Sequence, residues 1–113
     1  MIPKFYYHIT HKSWPQKIKL HPRIRGKNRS PLEPNIKRIC VSDTISGCLA
    51  SIGPCYNFNE QLYVYRTYRK ILAEEPFDIY DSDITNEKWI SRPTTFVYYG
   101  CINWKNIPKE IED

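Results

Sequence analysis

The chain has 113 residues, 41% hydrophobic and 26% charged, with a formal net charge of +5. That length is read as a single domain, 1–113, with mass for one modest core, and no apolar run approaches the length of a membrane-spanning helix. Nine Tyr and nine Pro, few Ala and many β-branched residues exclude a helical bundle and point to a sheet-rich α+β domain.

The positive charge is unevenly placed. Residues 1–38 carry Lys4, Lys12, Lys17, Lys19, Arg23, Arg25, Lys27, Arg29, Lys37 and Arg38 against Glu33 alone, and the remainder is net acidic. A basic half of this kind suits a phosphate-bearing partner, either a nucleotide or a nucleic acid, with Arg23 among the ligand-binding candidates; a solvated basic loop is the alternative. Cys40, Cys48, Cys55 and Cys101 show no CxxC spacing, so neither a zinc site nor a disulfide is expected. The N-terminus lacks the apolar core of a signal peptide, and the expectation is a cytoplasmic protein with reduced thiols.

In chain order, residues 4–10 (KFYYHIT) read as the first strand. Phe5, Tyr7 and Ile9 alternate with Lys4, Tyr6, His8 and Thr10, giving one apolar face and one bearing His8 and Thr10. Residues 11–16 turn through Trp14 and Pro15, and Ile18 and Leu20 make a short extended piece. Residues 22–37 (PRIRGKNRSPLEPNIK) form a basic, proline-punctuated loop, of a length typical of binding or mobile loops. Residues 38–52 (RICVSDTISGCLASI) read as a short buried strand running into a helix. Ile39, Cys40 and Val41 are the strand, and Ser42, Asp43 and Thr44 supply capping oxygens. Ile45, Cys48, Leu49 and Ile52 share one helical face. Residues 62–67 (LYVYRT) form a strand with Leu62, Val64 and Arg66 on one side and Tyr63, Tyr65 and Thr67 on the other. A helical turn or irregular loop is expected over 69–75, and an extended acidic stretch with a turn over 77–84. A short strand follows over 87–91 (EKWIS), then a last strand over 95–103 (TFVYYGCIN) with Gly100 as a bulge.

Several side chains are candidates for chemistry. Tyr7, His8 and Thr10 together offer an aromatic wall, a hydrogen-bonding ring and a hydroxyl, a set that suits a ribose and a flat base. A lone strand histidine is also commonly structural. Ser42 and Thr44 stand where a strand meets a helix start, a common place to bind an anion or nucleotide. No GxSxG elbow surrounds Ser42, so a ligand hydrogen bond or simple capping is expected of it rather than nucleophilic attack. Glu87, at the start of a strand, could hold a ribose hydroxyl and stabilise developing positive charge; an exposed strand-end charge is the alternative. Asp78, Asp81 and Asp83 lack the glycine and terminal glutamate of a calcium loop and read as a solvated acidic loop. Arg66 and Arg69, with Tyr63, Tyr65 and Tyr68, could stack on bases or simply be surface and core.

The succession YHIT, PRIRGKNR, RICVSDTISGCLASI, LYVYRT and ITNEKW resembles a family of small phage and bacterial proteins. Their layout is similar to the ADP-ribosyltransferase-like fold, which includes the tRNA 2′-phosphotransferases. The resemblance implies a curved or split antiparallel sheet with one main helix, and NAD as the ligand. It places His8 on the first core strand, Ser42 on the second and Glu87 on the third. In the implied reaction His8 and Thr10 orient the ribose, Ser42 supports the pocket, and Glu87 stabilises an oxocarbenium-like transition state. The chain departs from the fold's pattern in carrying SDT where an STS triplet would stand, and in having no ExE or QxE pair near Glu87. The expected function is binding of NAD or a related nucleotide, extending to transfer of ADP-ribose to a protein or RNA target. Two alternatives stay open: a non-catalytic phage protein that binds a nucleotide signal or a host defence component, and an RNA-binding module.

Overall fold

Alternation of apolar and polar residues builds six short strands, and one run with helical spacing builds the helix. In the computed structural model, residues 2–24, 36–52, 61–75 and 86–103 are described. The elements are β1 (Tyr7–Thr10), β2 (Lys17–Leu20), β3 (Ile39–Ser42), α1 (Ile45–Ile52), β4 (Gln61–Thr67), β5 (Glu87–Ile90) and β6 (Thr94–Asn103). All strands pair antiparallel in one sheet of order β2-β6-β4-β1-β3-β5. The architecture is α+β, a six-stranded antiparallel sheet with one short helix.

The centre of the sheet is covered on both faces. On one face Ile9, Leu62 and Val64 pack under Cys48 and Leu49 of α1, with Ile45 and Ile102 at the margin. These are the residues that the helical spacing of α1 and the alternation of β4 select. On the other face Tyr6, Ile39, Val41, Tyr65, Ile90 and Phe96 form a second cluster, which runs from Ile18 on β2 to Ile90 on β5. Trp14, Ile71 and Ala73, from irregular segments, pack against it. The face of β1 bearing His8 and Thr10 was expected to be polar, and the structure corrects this. Thr10 and Tyr6 are buried, because irregular chain covers that face as well.

Two features differ from the sequence expectation, and a third is more firmly anchored than it suggests. The first strand starts at Tyr7, while Lys4 makes a separate bridge to Ile71 through paired backbone bonds of 2.9 Å. Residues 69–75 form the irregular loop of the two expected alternatives, tied down at two points: Ile71 pairs with Lys4, and Glu74 exchanges backbone bonds of 2.7 and 2.8 Å with Trp89. The bulge expected at Gly100 falls one residue earlier. Val64 opposes Gly100 and Tyr65 opposes Tyr98, so Tyr99 is the extra residue. Cys55, the Asp78–Asp81–Asp83 stretch, the loop residues 25–35 and the tail 104–113 lie outside the described residues.

Candidate functional site

The sheet opens between β1 and β3. β1 and β3 share the register pair Tyr7↔Ser42. Past it they diverge, and the carbonyl of Cys40 receives the His8 ring at 2.8 Å through Nδ1. A side chain thus takes the place of a ladder bond. A carbonyl only accepts, so His8 Nδ1 carries the proton and Nε2 of the neutral ring is left as an acceptor. The His8 pKa is lowered, first by burial; the Cys40 carbonyl opposes this, and the charge of Arg23 adds to it. The ring is therefore neutral at pH 7.

A cavity of about 360 Å³ occupies the split, within the size range of small-molecule sites. One wall is β1 and the turn after it, with His8, Thr10, Lys12 and Trp14. The opposite wall is β3, with Arg38, Cys40 and Ser42, backed by Glu87 of β5 and by Gly47 and Cys48 of α1. Leu20, His21 and Arg23 close the rim. Arg23 is held there because its backbone and that of Arg38 bond reciprocally at 2.9 and 3.1 Å, pinning together the two ends of the long basic loop.

Of the residues singled out in the sequence, His8, Thr10, Arg23, Ser42 and Glu87 line this cavity together. Ser42 is 2% exposed, and its hydroxyl accepts the Thr44 backbone N–H at 3.3 Å while lining the cavity. Glu87 is not the exposed strand-end charge of the alternative reading. It is 7% exposed, sits opposite Ser42 in the β3–β5 register, and its Oε2 accepts the Trp89 indole N–H at 2.7 Å. The chain enters β5 through Asn86 in the left-handed region (φ 54°), which Asn tolerates better than most residues.

Tyr7 and Thr44 do not line the cavity. Tyr7 lies in the closed part of the sheet, edge-on to Tyr99 at 5.3 Å. Thr44 caps α1: its Oγ1 accepts the Gly47 N–H at 3.0 Å. The ring that actually faces His8 is Trp14, stacked at 5.8 Å with an interplanar angle of 10°. Its place is fixed by Tyr65, whose hydroxyl donates to the Trp14 carbonyl (2.7 Å) and accepts the Trp14 N–H (2.9 Å).

Sequence reasoning missed Trp14, Arg38, Cys40 and Cys48 as wall residues. Arg38 is 2% exposed; its guanidinium lies 4.7 Å from the Trp89 ring and donates to the Ile36 carbonyl at 2.9 Å. The Cys48 thiol donates to the Tyr7 carbonyl at 3.1 Å, and burial pushes its pKa up to about 12, so it is not a nucleophile. Among the described residues no group of three His, Cys, Asp or Glu side chains is placed to hold a metal ion, and no helix is long and apolar enough to cross a membrane. Chemically, the cavity offers a stacked ring pair, hydroxyls, a neutral imidazole acceptor, a basic side and one oriented carboxylate. No protein-family model, curated protein or solved structure matches the chain.

Proposed function

We propose that the cavity binds NAD or a related nucleotide on an ADP-ribosyltransferase-like fold, and that the chain transfers ADP-ribose to a macromolecule. The observation that carries this reading is the convergence of His8, Ser42 and Glu87, from three different strands, on one cavity. The residues suit the ligand's parts. Lys12, Arg23 and Arg38 offer positive charge to phosphates, and the His8–Trp14 pair offers a flat wall to a ring. Thr10, Ser42 and the His8 Nε2 acceptor suit ribose hydroxyls.

When bound, NAD supplies an ADP-ribosyl group whose bond to nicotinamide breaks with positive charge developing on the ribose. Glu87 stabilises that charge, held in orientation by the Trp89 indole. His8 orients the sugar from the opposite wall without competing as a cation, because its ring is neutral. Glu87 is only 7% exposed, and its low-dielectric surroundings strengthen its effect.

The test is calorimetric titration of NAD into wild type, Glu87→Gln and His8→Ala, with nicotinamide release followed in parallel. Glu87→Gln is expected to keep binding within a few-fold and lose about 10²–10³ in turnover, because its carboxylate acts mainly in the transition state. His8→Ala is expected to weaken binding, since it removes a contact made in both states. If wild type binds NAD and releases no nicotinamide, the chain is a nucleotide-signal binder and not a transferase. If wild type does not bind NAD, the reading fails.

A further inference from the structure

We infer that the end of the sheet face not covered by α1 is a docking surface for single-stranded nucleic acid. This surface is separate from the cavity, and the inference does not rest on the cavity's ligand. The registers define it. Arg66 of β4 stands opposite Tyr7 and Val97, and Val97 stands opposite Lys17, so these side chains share one face of four adjacent strands. The helix covers that face only over Ile9, Leu62 and Val64.

The uncovered end carries rings interleaved with cations. Tyr68 and Tyr99 are 48% and 50% exposed, so each keeps about half of its surface open to solvent. Lys17 lies 4.3 Å from the Tyr68 ring centroid, with Arg69 also near it at 5.7 Å. The Arg66 guanidinium lies 4.1 Å from Phe5 and 5.3 Å from Tyr99, and Lys70 is 5.7 Å from Phe5. Of the four acids among the described residues, Asp43 pairs with Lys4 at the margin, Glu75 with Lys88 and Glu87 with Trp89, and Glu74 accepts from Ser91. The surface is therefore positive, with two half-exposed tyrosines.

This combination discriminates among partners. An acidic peptide needs the cations and has no use for exposed rings. A duplex presents phosphates and hides its base faces. Unpaired bases use both: they stack on Tyr faces and Arg planes while Lys and Arg meet the phosphates. Strand spacing makes the platform about 14 Å wide across β2, β6, β4 and the chain leading into β1, matching a sheet that seats two or three bases.

The experiment is fluorescence anisotropy with labelled mixed-sequence 12-mers, as single-stranded RNA, single-stranded DNA and duplex DNA, over a salt series. Wild type is expected to bind both single strands more tightly than the duplex, with log K falling against log salt at a slope of about −2 to −3. Tyr99→Ala and Tyr68→Ala are each expected to weaken binding by about 5- to 150-fold, the loss of one stacked base. Lys88→Ala, which removes one positive charge at the far sheet edge, is expected to stay within two-fold. Tighter duplex binding, unchanged affinity in both Tyr variants, or equal displacement by a polyglutamate peptide at matched charge would overturn the inference. RNA preference over DNA would support it and add a 2′-hydroxyl contact.

Discussion

Replacing Tyr65 by Phe removes a single oxygen and separates the cavity wall from the core beneath it. Tyr65 is fully buried, and its hydroxyl satisfies both backbone groups of Trp14. Phenylalanine keeps the ring contacts with Trp14 at 5.4 Å and Tyr98 at 5.8 Å, so packing is nearly conserved. Two neutral hydrogen bonds are lost, each contributing about 0.5–1.5 kcal/mol net. Trp14 is only half-buried, so water re-engages part of its backbone, and the expected destabilisation is about 1–2 kcal/mol. Urea unfolding followed by far-ultraviolet dichroism should show the midpoint falling by about 0.5–1 M, with m unchanged because the buried area is the same. The Trp14 ring, freed from its tether, should also lose near-ultraviolet dichroism, and nucleotide affinity should fall several-fold as the His8–Trp14 wall loosens. A midpoint within 0.2 M of wild type, with near-ultraviolet dichroism intact, would show that Tyr65 does not hold this wall in place.

Lowering the pH should destabilise the protein through His8. Its folded pKa lies below the unfolded value near 6.5, so below that value the unfolded chain binds the extra proton, and stability falls until the folded pKa is reached. The unfolding free energy from urea titrations between pH 7.5 and 5 should therefore decline by up to about 1.4 kcal/mol per pH unit from this group, and His8→Gln should flatten the decline. Thiol labelling of the native protein at pH 8 should modify exposed Cys101 well before buried Cys48, the latter becoming reactive only on unfolding; rapid labelling of Cys48 would contradict its raised pKa. Thr44→Ala should cost about 1 kcal/mol through loss of the α1 cap, measured by thermal melting, and Thr44→Ser should restore most of it.

The strands and the helix were legible because each has one dominant period. β4 reads as alternation and α1 as offsets of three and four, and both lie within a residue of their expected limits. The convergence of His8, Ser42 and Glu87 on one cavity was not legible from the residues alone, since it depends on β3 lying between β1 and β5. Tyr7 illustrates a rule that the sequence already contained. Adjacent strand residues point to opposite faces, so Tyr7 and His8 leave β1 on opposite sides; Ser42 and Glu87, on Tyr7's side by register, reach the cavity at the split, whereas Tyr7 lies where β1 and β4 are paired. Trp14 was hidden for a different reason: it sits on an irregular turn with no period, and its position is set by a hydroxyl 51 residues away. Glu87 looked like a surface charge because burial of a carboxylate is rare, and the partner that permits it, the Trp89 indole, is visible only once β5 is known to lie against β3.

The strand order carries a consequence for how the chain reaches this state. No two described strands that neighbour one another in the sheet are consecutive in the sequence. The described strands therefore offer no β-hairpin to start folding, and each of their pairings must first close a long loop. Such topologies fold in milliseconds to seconds, not microseconds. During synthesis the delay is longer. β4 lies between β1 and β6, and β6 ends at Asn103, so β4 waits about 2–7 s for its second neighbour at ribosomal rates of 5–20 residues per second. In that interval the β4 edge presents unpaired backbone groups along a strand that includes Leu62, Val64 and Tyr65. The β6 segment of a second nascent chain fits that edge as well as the chain's own does. Crowded expression should therefore yield an intertwined dimer exchanging β6, and lower expression levels should suppress it.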